Sequence, residues 1–242
     1  MVSYSESPKN SPTETRNTMK QTATFIAAVM IFALAAGIVI ANTDAQISTG
    51  SSESYTTAAA ANIAAAGGDV TQVNVSSDAS TAKWQGFWGN ISGSLRLGDA
   101  SAFYDWSDVS FTAVYAAAGN TVDWAQVSGL SGAAAREGKD TEFGLTSTDT
   151  DSINSTMGGG TCAAGTIIST ADGVTPYDNA GDPGSWETCL AEDTVLGGLA
   201  ATVFGTNIVS AGAQAFNGET VQYQLMVPVE SGGTNYYFYL EI

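Results

Sequence analysis

The sequence contains no histidine. That removes the commonest general base and the commonest metal ligand. Ser-His-Asp and Cys-His catalysis and His-based zinc sites are excluded with it. Basic residues are nearly as scarce, with 7 Lys and Arg against 24 Asp and Glu and a formal charge of -17 over 242 residues. The bases Lys9, Arg16 and Lys20 and the acids Glu6, Glu14 and Asp44 balance within 1–45, so the whole imbalance falls on 46–242. Such a surface repels nucleic acid and anionic lipid heads, and no nucleic-acid partner is expected. Yet charged residues make up 13% of the chain and apolar ones 44%, which excludes a disordered acidic tail. No nucleophile elbow or dinucleotide fingerprint is present, and Gly158-Gly159-Gly160 lacks the Lys-Ser/Thr of a phosphate loop.

What the chain does have begins with a targeting pattern. Residues 1–18 are polar, rich in Ser, Thr, Asn and Pro, and read as disordered. Met19-Lys20 offers a second start beside Met1. An uncharged run from Ala23 to Ala41 follows, long enough to span a bilayer. With Lys20 ahead of it and small residues behind, 19–45 is either a signal peptide, cleaved after Ala41 or Ala45, or an uncleaved membrane anchor. Both readings keep the basic flank in the cytoplasm and send the body outside, so the expected location is extracellular or at the cell surface. Residues 46–68 form a Ser/Thr/Ala-rich spacer in which 58–66 reads as a short helix stopped by Gly67-Gly68, either packed or used in subunit contacts.

From Asp69 the pattern turns to strand. Val70, Val73 and Val75 open it, and 84–97 alternates with Trp84, Gly86, Trp88 and Asn90 on one face and Gln85, Phe87 and Ile91 on the other. Further strands are expected at 103–106, 109–115 and 122–127. Val221–Val227 and Tyr236–Ile242 read as the two arms of a hairpin around Ser231-Gly232-Gly233. The stretch 129–200 reads as long loops and short strands, with a short helix at 186–196. The expectation is an all-β class: a β-sandwich of jelly-roll or Ig-like type over 69–242, with a barrel as runner-up, preceded by one apolar transmembrane or signal helix.

The runs DVTQVNVSS, KWQGFWGNISGSLRLGDAS and FYDW within 69–106 resemble a group of uncharacterised exported archaeal surface proteins that share a Trp-Gln-Gly-aromatic-aromatic-Gly-Asn strand. VYAA, VDWAQV, DSINSTM and the closing QYQLMVPVESGGTNYYFYLEI are also similar. The resemblance implies a surface location, an archaeal type of source and a fold continuous over 69–242; it implies no chemistry. The Ala-rich 58–66 and the Gly/Cys-rich 157–190 depart from the pattern.

Four sets of residues are candidate sites. Cys162 and Cys189 are expected to pair, as an exported protein's two cysteines usually do; by loop entropy the bond contributes ~3 kcal/mol. Asn74, Asn90 and Asn154 begin Asn-x-Ser/Thr triplets and become glycosylation acceptors if exposed. Asp172, Asp178, Asp182 and Glu187, with Asp149, Asp151 and Asn154 as a second group, offer oxygens to a calcium ion; the competing reading is ordinary turn formation. Trp84 and Trp88 are either a sugar-stacking platform or core aromatics. The leading expectation is a non-enzymatic structural component of an envelope or filament, held to the membrane by its N-terminal helix and capable of self-association. An extracellular carbohydrate- or calcium-binding module and a secreted hydrolase with paired carboxylates are the alternatives.

Overall fold

The computed structural model describes residues 47–50, 52–54, 62–76, 79–98, 102–106, 109–158 and 161–242. The apolar run 23–41 and residues 46, 51 and 55–61 of the spacer lie outside the described residues. The described chain is mostly β-strands in sheets, with few helices, which places it in the all-β class.

The chain order is β1 (Trp84–Gly89), β2 (Leu95–Gly98), β3 (Ala102–Trp106), β4 (Ala113–Ala117), β5 (Val127–Gly129), helix α1 (Ala133–Glu142) and the short helix α2 (Ile153–Thr156). Then come β6 (Cys162–Ala164), β7 (Ile168–Ala171), β8 (Gly173–Val174), β9 (Thr188–Asp193), β10 (Thr202–Asn207), β11 (Ala213–Gln214), β12 (Thr220–Val221), β13 (Tyr223–Pro228) and β14 (Tyr237–Glu241). The main sheet runs β14-β4-β10-β9-β5, with β8 also on β9, and every pairing is antiparallel. Pairs of strands form the remaining sheets: β1 with β13, β2 with β3, β6 with β7, and β11 with β12.

β4 explains the layering. All five of its residues are buried, so both of its faces need cover. Side chains alternate along a strand, which sends Ala113, Tyr115 and Ala117 to one side. There the β6–β7 pair covers them with Cys162, Ala164, Ile168 and Ala171. Ala116 points the other way, into a cluster with Leu190, Phe204, Phe143, Ile153 and Met157, closed by Leu225 and Val227 of β13. Small residues on β4 let both covers approach closely. A third cluster, Trp186, Ala215 and Val221, lies beneath the β11–β12 turn.

Buried polar groups are satisfied by specific partners. Glu241, in the last strand, accepts from the Tyr115 hydroxyl, from Thr166 Oγ1 and from the Thr166 N–H at 2.9 Å. Gly165 sits beside this carboxylate with φ +59°, and a Cβ there would collide with Glu241 and Tyr115. Burial and the Glu241 carboxylate together push the Tyr115 hydroxyl well above its ordinary value. Lys139 of α1 is 3% exposed and bridges Glu142 at 2.8 Å and Glu192 of β9 at 3.0 Å. Asp140 beside it is fully buried and caps α2 by accepting from Ile153 N at 2.6 Å and Asn154 N at 3.0 Å.

Several sequence expectations are corrected. The C-terminal hairpin is not one: β13 pairs with β1 and β14 with β4, so the Ser231-Gly232-Gly233 turn carries the chain from one sheet to another. Both arms are apolar enough to serve in either arrangement, and the pattern carries no information about partners. Residues 186–196 hold β9, buried at Thr188–Ala191, and no helix. Residues 122–127 give a 3-10 turn at Trp124–Gln126, capped by the Asp123 side chain, before the short β5. The single long strand at 84–97 is broken after Gly89, and Asn90 lies outside the ladder. Residues 69–75 pair with nothing described, and 62–66 are not helical. The expected loops of 129–200 contain α1, whose Ala-rich first turn starts at Gly132.

Cys162 and Cys189 are bonded, tying β6 to β9 with Cα atoms 5.5 Å apart across 27 residues. Replacing both by Ala should lower unfolding stability by about 3 kcal/mol on loop-entropy grounds, measured by denaturant titration; an unchanged midpoint would mean the cover over β4 holds without the bond. Asp193 gives a pH prediction. Burial alone would raise its carboxyl, but donation from Asp123 N, Val195 N and Leu196 N holds it below the usual carboxylate range. Its contribution is therefore complete above the unfolded value of about pH 4 and is lost as pH falls through the lower folded value. Asp193→Asn should cost about 1–3 kcal/mol at pH 7 and flatten the fall of the melting temperature below pH 4. An acid profile parallel to the parent's would place that dependence elsewhere.

Candidate binding cleft along strand β1

Among the described residues β1 has one partner, β13, and its other edge is unpaired. The free groups follow from the ladder. Lys83 C=O accepts from Val229 N at 2.8 Å, and antiparallel alternation then turns the N–H and C=O groups of Trp84, Gly86 and Trp88 away from β13. The Gly86 carbonyl accordingly accepts from the Gln85 side chain at 2.8 Å. Among the described residues β14 is likewise the edge of the main sheet, paired with β4 alone. The two edges flank a cleft of about 1130 Å³.

The cleft is apolar on its inner side. Phe87 meets Phe238 edge-on with ring centroids 5.0 Å apart, and Val114, Leu225 and Leu240 continue the lining. Trp84 through Trp88 all contribute. Because neighbours on a strand point to opposite faces, the cleft reaches from between the sheets round the β1 edge to its outer face. That outer part holds Trp88, Phe216, Gln224 and Tyr177. Trp88 is edge-on to Phe216 at 5.0 Å, and its N–H points to Glu219 Oε2 at 3.5 Å. The lining includes the carboxylates Glu53 and Glu219 and neither Lys nor Arg. Residues 47–50, 52 and 53 lie along the mouth; among the described residues they make no backbone hydrogen bond to either edge.

The start of β1 is fixed from the opposite side. Lys83 Nζ sits between Asp149 and Asp151 at 2.7 Å from each, Thr81 Oγ1 donates to Asp151 at 2.7 Å, and the Trp84 indole donates to the Asp151 carbonyl at 2.7 Å. Hydrogen bonds from Lys83 and Thr81 hold the Asp151 carboxyl below its ordinary value. The acidic pair expected to offer oxygens to a cation thus engages this lysine.

The other candidates are dispersed. Asp172 accepts from Arg136 Nη1 and from Gly132 N at 2.7 Å. Asp178 closes a turn by accepting from Ala180 N at 2.8 Å and Asp182 N at 3.3 Å, and Glu187 is exposed. Among the described residues no three Asp, Glu or Cys side chains come together in a way that holds a metal ion. Trp84 packs on the cluster around Phe143 and Trp88 on the one around Trp186, so the two indoles belong to different clusters while both line the cleft. Asn74 and Asn90 are exposed, whereas Asn154 sits in α2 with its carboxamide accepting from Arg136 at 3.2 Å.

A second surface feature escaped the sequence reading. In the β2–β3 pair, Leu95 lies opposite Trp106, Leu97 opposite Tyr104 and Arg96 opposite Asp105. One face is therefore apolar, and the other carries an Arg96–Asp105 ion pair at 2.9 Å. Leu97 is 53% exposed, Tyr104 57% and Trp106 45%. The strand at 103–106 is the expected one, whereas 95–97, read as the end of a single strand over 84–97, is a separate arm paired with it.

The chain matches no protein family, no curated protein and no solved structure.

Trp84→Phe keeps an aromatic side chain but loses the N–H donated to Asp151 and part of the indole's packing on the Phe143 cluster. It should cost about 1 kcal/mol by denaturant titration and leave the Trp88 contribution to fluorescence in place; no loss would mean that Lys83 alone fixes the β1 entry.

Proposed function

We propose that this is a non-enzymatic cell-surface protein, exported by its N-terminal apolar segment, that serves as a structural subunit of an envelope or filament. The observation carrying this reading is the β2–β3 hairpin. An isolated two-stranded hairpin is marginal in water, and this one presents Leu97, Tyr104 and Trp106 to solvent on a single face. Apolar faces of that kind belong to contacts between molecules. The fold is read as a β-sandwich, with the main sheet as one layer and β1–β13 as part of the second. Export suits the disulfide, and an acidic surface keeps subunits apart except where apolar faces meet.

A second reading rests on a separate observation. Trp88, Phe216 and Trp84 line the cleft beside Gln85, Gln224 and Asn90, a combination that suits a sugar. A carbohydrate-binding module is the alternative on that ground.

The test is the full-length protein purified in mild detergent, examined by negative-stain microscopy and sedimentation. Filaments or a lattice are expected. Tyr104→Ser with Trp106→Ser should reduce assembly roughly tenfold without lowering the melting temperature of the body. Discrete monomers at every concentration would overturn the structural role, and saturable glycan binding abolished by Trp88→Ala would establish the alternative.

A further inference from the structure

We infer that residues Thr71–Val75 of one copy insert as a strand along the free edge of β1 in a second copy and close its cleft; this deepens the self-assembling role proposed above and rests on it. Four observations converge.

The segment is built for a strand and has none. Thr71, Val73 and Val75 are β-branched and share one face under period-2 alternation, with Val70, Gln72 and Asn74 on the other. Val73 is 53% exposed and Val75 88%, and no described residue pairs with them. In the same molecule residues 47–50, 52 and 53 line the cleft yet make no backbone hydrogen bond to either edge among the described residues.

The cleft offers what such a strand lacks. Trp84, Gly86 and Trp88 turn their backbone groups outward, ready to accept a third strand on the β1–β13 sheet. The apolar wall of Phe87, Val114, Phe238 and Leu240 faces the same space. A five-residue strand is roughly 17 Å long, and β14 on the far side of the cleft is five residues long.

Charge also fits. The lining has two carboxylates and no base, so it repels an acidic ligand and has no ion pair to offer. Thr71–Ser76 is uncharged. Inserted with Thr71, Val73 and Val75 inward, the strand leaves Asn74 facing solvent, where its Asn-x-Ser triplet stays accessible.

The test uses the full-length protein and separates this inference from the role beneath it. Val73→Asp with Val75→Asp places carboxylates against the apolar wall and should weaken assembly tenfold or more, as expected for burying unpaired charges. Both residues are exposed, so the melting temperature should not move. Val70→Asp with Gln72→Asp adds equal charge to the opposite face and should assemble like the parent. Gly86→Pro removes one N–H from the free edge, at a position where an added Cβ meets nothing within 4 Å, and should block acceptance of the strand while leaving the melting temperature of the body in place. Finally, Val73→Cys protein mixed with Gly86→Cys protein should be joined by a short thiol cross-linker, since Cys162 and Cys189 are already bonded.

Loss of assembly in the inward pair and in Gly86→Pro, with cross-linking between copies, is the supporting result. Parent protein that never assembles removes both the role and the inference. Parent assembly unaffected by the inward pair, or reduced equally by the outward pair, removes the inserted strand alone. A doubly substituted Val73→Cys, Gly86→Cys chain that cross-links only within itself, with no joining in the mixture, also overturns the exchange: the segment would then close its own cleft.

Discussion

The structure depends on β4 being buried on both faces. A strand in that position cannot face water on either side, so the sheet containing it needs two separate covers. One is the β6–β7 pair, joined to β9 through Cys162–Cys189 and packed on Ala113, Tyr115 and Ala117. The other is the layer of β1, β13, α1 and α2 over Ala116, Leu190 and Phe204. Each cover is small and weakly stable alone; the main sheet between them gives each one a surface to bury.

Polar groups drawn inside by this layering are held by short-range partners. Glu241 is a carboxylate in the interior of an acidic protein, and the donors that meet it are the hydroxyls of Tyr115 and Thr166 and one backbone N–H. Its position in the last strand turns that cost into a fastening for β14. Lys139 performs the corresponding task between α1 and β9 with two glutamates. With so few bases in the chain, three of them, Lys83, Arg136 and Lys139, are used to hold layers and loops together. The acidic excess is left for the surface.

The cover on the β13 side stops short. β1 and β14 end their respective sheets next to each other, and the apolar space between them opens to solvent. Edge strands left this way are usually shielded by charge, proline or bulges; β1, with the sequence WQGFWG, has none of these. The hairpin β2–β3 and the segment 70–75 add two more apolar surfaces without a partner in the described chain. Incomplete cover in three places, on a body otherwise well packed and cross-linked, is the physical basis for reading this molecule as one part of a larger assembly.

Composition and alternation were enough to identify the β class, the Cys162–Cys189 pairing and a strand at 103–106, and they placed strands at 84–97 and 109–115 where the structure has β1 with β2 and, starting four residues later, β4, because strand formation and bond formation depend on local residue type. Partnership was not legible. Tyr223–Pro228 and Tyr237–Glu241 have the same alternating pattern whether they pair together or, as here, lie in different sheets, since period 2 fixes which face is apolar and says nothing about the neighbour. The WETCLAEDTVL stretch looks helical in isolation, yet Thr188–Asp193 fills the space between β10 and β5. The cleft was readable only as a pair of tryptophans, because its walls come from β1, β4, β13 and β14, segments up to about 150 residues apart. Local pattern determined what each segment is able to become; the burial of β4 on both faces decided where each one went, and which edge was left open.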